Sequence, residues 1–424
     1  MRLEGDRAFV RPRALNGSVV VPPSKSETHR ALVLAARSAE PVRVHGPLMA
    51  QDTQSTREAI EGFGASVEEE QGSWLVRSKR LGPPTRVIDC GNSGTTLRLM
   101  TAQAALMPAT IELTGDESLR RRPNEPLLTA LESLGVRIAA DAGRAPITLK
   151  GPLIGGEVRL PGGLSSQFAS ALMLALPFAE QESVVTVESP VHSRPYLDLT
   201  LAMAQDAGLS MVLSESSQGD LRVLIPGQQQ INSAQITVGA DWSTAALLMV
   251  AALLSRGSVA LKGLDQSSAQ GDRRIADIIR IFGGKIEDLA ADQLLVTAGD
   301  LVSPGRIDVG QTPDLFPPLC ALAAVAKGQT LIQGSAGLRH KECDRIDAMA
   351  QGLRAAGIVC HERADGLLIE GGQPNPAELN AQGDHRIHMA LCALALAADG
   401  PSTIDSAWST IISYPNFHAD LASL

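Results

Sequence analysis

The stretch Val87–Leu99, VIDCGNSGTTLRL, carries the local pattern on which our interpretation of the fold depends. A short β-type run, Val87-Ile88-Asp89, leads through the polar turn Gly91-Asn92-Ser93-Gly94 into a segment with the composition of a helix. The same order of strand, polar turn and helix recurs at intervals of about 70 residues, which is longer than a solenoid period. The turns lie near Lys25, Asn92, Ser166, Asp241, Asp314 and Asp384. The sequence therefore predicts one α/β unit repeated six times.

Each of these turns is a candidate anion-binding site. A strand-to-helix turn exposes backbone N–H groups at the positive end of the helix dipole, and such helix starts bind phosphate and carboxylate groups. The net charge of the chain is −9, so basic residues in the turns do not simply belong to a generally basic surface. If several turns face one cleft, we expect a ligand that carries phosphate or carboxylate.

Composition limits the class of protein. A chain of 424 residues is too long for one hydrophobic core, and it predicts two domains of about 200 residues each. The negative charge and an aromatic content of 3% argue against nucleic acid as a partner. No apolar stretch approaches the ~20 residues of a membrane span, and the charged N-terminus does not resemble a signal peptide. We expect a monomeric, cytoplasmic protein that binds no membrane.

Cysteine and histidine spacing predicts no metal site. The five cysteines form no C-x-x-C pair, which favours free thiols in a reducing compartment. His385 and His388 have helical spacing but lack further ligands nearby in the sequence. No phosphate-binding loop of the nucleotide-binding types occurs either.

The densest charged run is Leu338–Arg345, LRHKECDR. A solvated helix start is the simple explanation, because acidic residues are favourable in a first helical turn. The run follows the glycine-rich turn Gly334–Gly337 and shares the chain with other charged turns, which favours a functional explanation. Lys341 offers a cation to an anionic ligand, and Glu342 offers a carboxyl group able to transfer protons.

Four other turns carry weaker signals. Asp384-His385-Arg386 and Pro313-Asp314 both stand at predicted helix starts, where capping of the helix is the competing explanation. Ser165-Ser166-Gln167 offers hydroxyls to phosphate oxygens, although paired serines are common in turns. Arg120–Arg122 is a short basic turn, and arginine suits two-point capture of carboxylate or phosphate.

Taken together and in this order, the motifs resemble the family of 5-enolpyruvylshikimate-3-phosphate synthases along essentially the whole chain. The motif Ser193-Arg194-Pro195-Tyr196 favours this family over the related UDP-N-acetylglucosamine enolpyruvyl transferases. The matching motifs are Ser24-Lys25-Ser26 with Arg30, Gly91–Thr95, Arg122-Pro123, Ser165–Phe168, Ser193–Tyr196, Gln270-Gly271-Asp272, Pro313-Asp314, Leu338–Arg345 and Asp384-His385-Arg386.

The resemblance implies an α/β fold, the two-domain inside-out α/β barrel of the enolpyruvyl transferase type. Each domain would contain three βαβαββ repeats around buried helices, with the active site in the cleft between the domains. One domain would comprise residues 21–237 and carry most of the shikimate-phosphate site. The other would combine residues 1–20 with 238–424. It would carry Asp314, Lys341, Glu342, Arg345, His385 and Arg386.

The reaction implied is transfer of the enolpyruvyl group of phosphoenolpyruvate to the 5-hydroxyl of shikimate 3-phosphate, with release of phosphate and without metal or organic cofactor. The catalytic residues implied are Lys25, Asp314, Glu342 and His385. Ser165, Ser166, Ser193 and Lys341 would hold the shikimate phosphate. Ser26, Arg30, Tyr196 and Asp314 would hold the ring hydroxyls and carboxylate. Lys25, Gly94, Arg122, Gln167, Arg345 and Arg386 would surround phosphoenolpyruvate.

Three positions depart from the family pattern. Ile412 stands where the family usually has a lysine, Pro23 replaces the glycine of the motif Pro-Gly-Ser-Lys, and Gly337 replaces a common asparagine. An isoleucine cannot supply a cation to phosphoenolpyruvate. Two alternatives therefore stay open: an enolpyruvyl transferase for another phosphorylated hydroxy acid, and a weakened paralogue that binds phosphorylated ligands without turnover.

Overall fold

The chain divides into two units. The computed structural model describes residues 1–78 and 81–424. The central unit is Pro23–Val238, and the terminal unit combines Met1–Pro22 with Gly239–Leu424. Each unit has its own apolar core, built largely from Ala, Leu, Val and Ile as the low aromatic content predicts.

The chain begins with three strands of the terminal unit and then enters the central unit. The first strands are β1 (Arg2–Glu4), β2 (Arg7–Val10) and β3 (Asn16–Val20). The strands of the central unit are β4 (Val42–His45), β5 (Ser66–Glu70), β6 (Ser73–Arg77), β7 (Ile88–Asp89), β8 (Thr110–Thr114), β9 (Arg137–Asp141), β10 (Arg144–Lys150), β11 (Glu157–Pro161), β12 (Ser183–Glu188), β13 (Val212–Glu215), β14 (Leu221–Ile225) and β15 (Gln235–Thr237). Its helices are α1 (Lys25–Ala36), α2 (Gln51–Gly62), α3 (Gly94–Ala105), α4 (Glu117–Arg121), α5 (Glu125–Ser133), α6 (Ser166–Ala175), the 3₁₀-helix Leu176–Phe178 and α7 (Arg194–Asp206).

The described part of the central unit forms three four-stranded sheets with related topology. Their strand orders are β15-β4-β6-β5, β7-β8-β10-β9 and β11-β12-β14-β13. Each sheet contains a parallel pair, β15 with β4, β7 with β8 and β11 with β12, followed by antiparallel strands. A parallel pair requires a crossover connection, and α3 and α6 supply it for the second and third sheets.

The terminal unit continues after residue 238. Its remaining strands are β16 (Ser258–Lys262), β17 (Lys285–Ala290), β18 (Gln293–Thr297), β19 (Arg306–Asp308), β20 (Gln329–Gln333), β21 (Cys360–Arg363), β22 (Gly366–Glu370), β23 (Glu378–Leu379) and β24 (Ser402–Ile404). Its helices are α8 (Trp242–Leu254), α9 (Ile275–Ile281), α10 (Phe316–Ala323), α11 (Arg345–Ala355), α12 (His385–Ala395) and α13 (Phe417–Ser423). Shorter 3₁₀-helices span Gly271–Arg274, Pro313–Leu315, Ala336–His340 and Ala407–Ile412.

The terminal unit repeats the same sheet topology. Its described sheets have the orders β17-β18-β16-β3, β19-β20-β22-β21 and β1-β2-β24-β23. The parallel pairs are β3 with β16, β19 with β20 and β23 with β24. The predicted unit of strand, helix, strand, helix and hairpin is therefore confirmed, and the hairpin β1-β2 completes the last repeat from the N-terminus.

The helices that follow the polar turns form the interior of each unit. All thirteen residues of α8 are buried, as are all residues of α12. A helix that is apolar on every face can be stable in water only when its whole circumference is covered. The described helices include none long and apolar enough to cross a membrane.

The polar turns end in capping residues that fix where these helices begin. Ser93 accepts a hydrogen bond from the N–H of Thr96, and Asp384 accepts from the N–H groups of Arg386 and Ile387. Ser24, Ser165 and Asp241 cap α1, α6 and α8 in the same way. Asp314 does not: it lies inside the 3₁₀-helix Pro313–Leu315, so the capping explanation for this residue is wrong.

Pairing of β3 with β16 depends on the glycine just before β16. A Cβ atom on Gly257 would overlap the carbonyl oxygen of Leu15, which accepts the N–H of Ser258 at 2.9 Å. We therefore expect Gly257→Ala to lower the free energy of unfolding by roughly 1–3 kcal/mol, because the backbone must move to remove the overlap. Urea denaturation measures the change. Gly82→Ala, where a Cβ meets no atom within 4 Å, is the control and should change stability by less than about 0.5 kcal/mol. Equal losses of stability in the two variants would argue against a close contact between Gly257 and Leu15.

Candidate active site

A buried arginine joins the charged helix starts of the terminal unit. The side chain of Arg345 is 2% exposed. Its Nε atom lies 2.7 Å from Asp384 Oδ2, its Nη1 atom 3.0 Å from Asp314 Oδ1 and its Nη2 atom 2.7 Å from Glu342 Oε2. Burial acts to lower the pKa of Arg345, but Asp384, Glu342 and Asp314 outweigh it and raise that pKa well above the usual value. Arg345 is therefore a permanent cation.

A second arginine completes the cluster. Arg386 Nη2 lies 2.9 Å from Asp314 Oδ2, so one carboxylate is held by two guanidinium groups. We call Asp314, Glu342, Arg345, Asp384 and Arg386 the arginine–carboxylate cluster. Glu342 and Asp314 keep side-chain exposures of 13% and 20%, and ligands can therefore reach them.

Helix starts position the members of this cluster. Asp344 caps α11 by accepting the N–H groups of Ile346 and Asp347, and it also accepts Arg339 Nη1 at 2.7 Å. Glu342 lies two residues before this cap, and Arg345 is the first residue of α11. Asp384 caps α12 and accepts Arg345 at the same time. Asp384 thus combines the capping of α12 with an ion pair to Arg345. His385 and Arg386 are the first two residues of α12.

A lysine and a cysteine also lie beside the cluster. Lys341 follows the 3₁₀-helix Ala336–His340 and is half-buried. Cys343 Sγ lies 3.8 Å from Asp384 Oδ2, and burial together with Asp384 raises the pKa of this thiol. A thiol that keeps its proton is a poor nucleophile, so Cys343 is not suited to covalent catalysis.

In the central unit, two predicted residues of α1, Lys25 and Arg30, each contact side chains of other helices. Lys25 Nζ lies 2.9 Å from Asp52 Oδ2, and both side chains are largely buried. Arg30 is 3% exposed and donates from Nε to Thr200 Oγ1 at 2.8 Å and from Nη1 to the carbonyl of Ser26 at 2.9 Å. Burial lowers the pKa of Arg30 to about 10. Arg30 thus also holds α1 against α7.

A further hydrogen-bond network connects α3 with the start of α6. Gln167 accepts Arg98 Nη1 at 2.5 Å and donates to Thr95 Oγ1 at 3.0 Å. Arg122 Nη2 donates to Asn92 Oδ1 at 2.8 Å. A Cβ on Gly94 would lie 3.2 Å from Arg122 Nη1, a tight contact that would require this guanidinium to shift by a few tenths of an ångström.

The serines and the tyrosine of the predicted set lie at other helix starts of the central unit. Ser165 caps α6 by accepting the N–H of Gln167 at 3.3 Å, and Ser166 is the first residue of α6. Ser193 precedes α7 with a φ of 55°. The carbonyl of Tyr196 accepts Arg30 Nη2 at 3.2 Å. Arg30 donates to the backbone carbonyls of both Ser26 and Tyr196, whereas Ser165 and Ser193 lie in separate turns.

Sequence reasoning missed the partners of the predicted residues. Asp52 holds Lys25, Arg98 holds Gln167, and neither residue stands in a polar turn. Asp272 was part of a quoted motif but received no role. It is 2% exposed and accepts a hydrogen bond from Ser243 Oγ. For Arg98 the available signal was a charged side chain among the uncharged residues of a predicted helix. It lies four positions after Gly94, and residues four apart share one face of a helix.

The structure also gives the setting of the departure at Ile412. Ile412 ends the 3₁₀-helix Ala407–Ile412 and is buried, with 2% of its surface exposed. The neighbouring Ile411 is 44% exposed. Within residues 1–78 and 81–424, no group of histidine, cysteine and acidic side chains is arranged to hold a metal ion.

Comparisons with known proteins identify the class of the chain. A 3-phosphoshikimate 1-carboxyvinyltransferase of Methanosarcina mazei is 40% identical over 99% of this chain and 97% of its own length. The enzyme of that name from Methanothrix thermoacetophila is 42% identical over 97% of this chain and 96% of its own length. A solved structure of EPSP synthase from Acinetobacter baumannii superposes with a TM-score of 0.80 at 28% identity, covering 98% of this chain and 97% of the other.

These similarities, with the α/β fold and the charged helix starts, define an enzyme of the carboxyvinyl transferase class. The family model described as EPSP synthase (3-phosphoshikimate 1-carboxyvinyltransferase) matches residues 10–421. The chain belongs to this family, and the resemblance noted from its motifs is confirmed.

Removal of Arg345 should be far more damaging than removal of an exposed arginine on the same helix. Arg345→Met leaves the carboxylates of Asp314, Glu342 and Asp384 without their shared cation, and we expect a loss of about 3–5 kcal/mol in the free energy of unfolding. Arg354→Met is the control. Arg354 pairs with Glu362 at 3.2 Å but is 47% exposed, so its loss should cost less than about 1 kcal/mol. Chemical denaturation compares the two variants, and similar small losses would contradict a central role for Arg345.

Proposed function

We propose that this protein transfers the enolpyruvyl group of phosphoenolpyruvate to the 5-hydroxyl of shikimate 3-phosphate and releases phosphate, in the pathway to chorismate and the aromatic amino acids. The observation that carries the proposal is the arginine–carboxylate cluster, in which proton-transfer groups lie directly beside anion-binding groups. Membership of the family and the names of the relatives support the same assignment.

The proposed binding roles follow the charges. Arg345 and Arg386 bind phosphoenolpyruvate together with Lys25, Gly94, Arg122 and Gln167. Ser165, Ser166, Ser193 and Lys341 bind the phosphate of shikimate 3-phosphate, and Ser26, Arg30, Tyr196 and Asp314 bind its ring. Both substrates are anions that repel each other, so fixed guanidinium and ammonium groups lower the cost of bringing them together.

The chemistry proceeds by addition and elimination. Asp314 accepts the proton of the attacking 5-hydroxyl, whose oxygen bonds to the central carbon of phosphoenolpyruvate. Glu342, helped by Lys25, donates a proton to the methylene carbon, and a tetrahedral intermediate results. Loss of a proton from the new methyl group then expels phosphate and forms the enol ether. His385 and the arginines stabilise the charge that develops on the leaving phosphate.

We further assign the fold to the inside-out α/β barrel of the enolpyruvyl transferases, with one domain near residues 21–237 and the other combining 1–20 with 238–424. The three sheets described in each unit and their buried helices support this assignment. We propose that the protein acts as a monomer in the cytoplasm.

The isoleucine at position 412 keeps two alternative functions open. An apolar side chain where the family usually has a lysine could accompany a different phosphorylated acceptor, or binding of phosphorylated ligands without turnover. Retention of Asp314 and Glu342 beside two arginines argues against the second, since a binding protein needs no pair of proton-transfer groups.

The proposed reaction is tested by phosphate release. We expect release of inorganic phosphate only when phosphoenolpyruvate and shikimate 3-phosphate are both present, because the leaving phosphate departs from an adduct of the two. Each substrate alone is the control. Release with another phosphorylated hydroxy acid, but not with shikimate 3-phosphate, would replace the acceptor. Binding of shikimate 3-phosphate in a calorimeter without any release would favour the non-enzymatic alternative.

Glu342→Gln tests the proton donor. Glutamine keeps an oxygen for Arg345 Nη2 but cannot deliver a proton, so turnover should fall by about 10²–10⁴-fold. Calorimetric binding of shikimate 3-phosphate should stay within a few-fold of the wild type. Glu287→Gln, on the exposed strand β17, is the matched control and should keep full turnover. Normal turnover of Glu342→Gln would remove Glu342 from the mechanism.

A further inference from the structure

Two histidines of the terminal unit contact each other outside the arginine–carboxylate cluster. His388 lies in α12, three residues after His385, and is buried. His418 lies in α13, the helix at the C-terminal end of the chain, and is half-buried. The Nε2 atoms of the two rings are 2.9 Å apart, which is a hydrogen-bond distance. A contact between two titratable side chains therefore joins α13 to α12.

The surroundings of His388 determine which ring nitrogen carries hydrogen. Its Nδ1 atom lies 2.6 Å from the backbone carbonyl oxygen of Asp405, which can only accept a hydrogen bond. Nδ1 is therefore the donor, and in the neutral ring Nε2 has a lone pair that can only accept. His418 must then donate from its own Nε2 atom. Cys392 Sγ lies 3.5 Å from the same Nε2 atom of His388, and burial raises the pKa of this thiol, so it keeps its hydrogen.

The contact between the two rings survives only while at least one of them is neutral. A neutral imidazole offers one lone pair, whereas an imidazolium has an N–H at both nitrogens and offers none. If both rings were imidazolium, two N–H groups would face each other across 2.9 Å and two positive charges would lie side by side. Protonation of both histidines is therefore incompatible with the bond that joins α13 to α12.

The folded structure disfavours protonation of both rings. Burial lowers the pKa of His388 to about 4, although the hydrogen bond to the carbonyl of Asp405 and the charge of Asp6 oppose this effect. Burial also lowers the pKa of His418 to about 4, and His388 acts in the same direction. The neutral pair is thus the form that the packed helices hold at neutral pH.

The other charged groups around the pair have partners of their own. The carboxylate of Asp405 accepts a backbone N–H at 2.7 Å, and Asp420 of α13 accepts the hydroxyl of Tyr414 at 2.7 Å. Arg13 donates to carbonyl oxygens at the end of α13. The amino group of Met1 adds a positive charge near α12. Among the described residues, no carboxylate is hydrogen-bonded to either imidazole, so none offsets the charge of a doubly protonated pair.

We propose that the hydrogen bond between His388 and His418 is a pH-sensitive switch that holds α13 on α12 at neutral pH and releases it in acid. The inference does not depend on the proposed reaction. When α13 separates from α12, both rings meet water and each takes up a proton near its usual pKa of about 6.5. Because the pKa values are lower in the packed form, its stability is full above about pH 6.5 and is lost as pH falls towards about 4.

Hydrogen exchange of backbone amides tests the switch. After correction for the intrinsic effect of pH on exchange, the protection of α13 should fall by on the order of 10²-fold from about pH 7 to about pH 5, since opening takes up two protons. Helix α9 contains no histidine and is the internal control, which should keep its protection within a few-fold. Protection of α13 that does not change with pH, or an equal decline in α9, would overturn the proposal.

Matched variants assign the decline to the histidine pair. The amide of His418→Gln can still donate to His388 Nε2 but does not titrate, so protection at pH 7 should stay within a few-fold of the wild type. Its decline to about pH 5 should shrink to on the order of 20-fold, the effect of one proton. His361→Gln, at an exposed position of β21, is the control and should show the full decline. Equal declines in His418→Gln and the wild type would contradict the switch.

A second measurement needs no variant. NMR of the ring nitrogens in the wild-type protein at neutral pH should show hydrogen on Nδ1 of His388 and on Nε2 of His418, as the contacts with Asp405 and between the rings require. Both rings should change to the imidazolium form together with the loss of protection in α13. Hydrogen on Nε2 of His388 at neutral pH, or protonation of both rings while α13 keeps its protection, would overturn the proposal.

Discussion

The shared contact of Arg345 with Asp314, Glu342 and Asp384 is the interaction on which the terminal unit depends. These carboxylates come from a 3₁₀-helix, from the segment before α11 and from the cap of α12, so one guanidinium fixes the relative position of three helix starts. The planar guanidinium can donate in several directions at fixed angles, which an ammonium group cannot. A lysine at this position would hold fewer of these partners in a defined geometry.

Burial of these charged groups has an unfavourable free energy that the rest of the fold must offset. Desolvating charged groups is unfavourable, and their mutual attraction recovers that cost only when the geometry is good. The helices behind the polar starts are rich in alanine and leucine and are buried on every face, as in α8 and α12. Their apolar burial supplies stabilising free energy, while their first turns hold the charged groups. Each repeat thus combines an apolar body with a polar end.

The sequence predicted the repeated unit well because its signals are local. Alternating strands, polar turns and capping residues such as Ser93 and Asp384 depend on a few neighbouring positions. The partners of the predicted residues could not be obtained in the same way. Asp52 reaches Lys25 across 27 positions and Arg98 reaches Gln167 across 69, so these contacts depend on tertiary packing. For Asp314, local reasoning favoured a cap, whereas its carboxylate binds Arg345 and Arg386.

The charge balance of the arginine–carboxylate cluster also bears on substrate binding. Its carboxylates, those of Asp314, Glu342 and Asp384, outnumber its two guanidiniums, those of Arg345 and Arg386. An excess of negative charge opposes the binding of anionic substrates. We therefore expect cations outside the cluster to contribute to the binding of the anions, and the isoleucine at position 412 cannot be one of them.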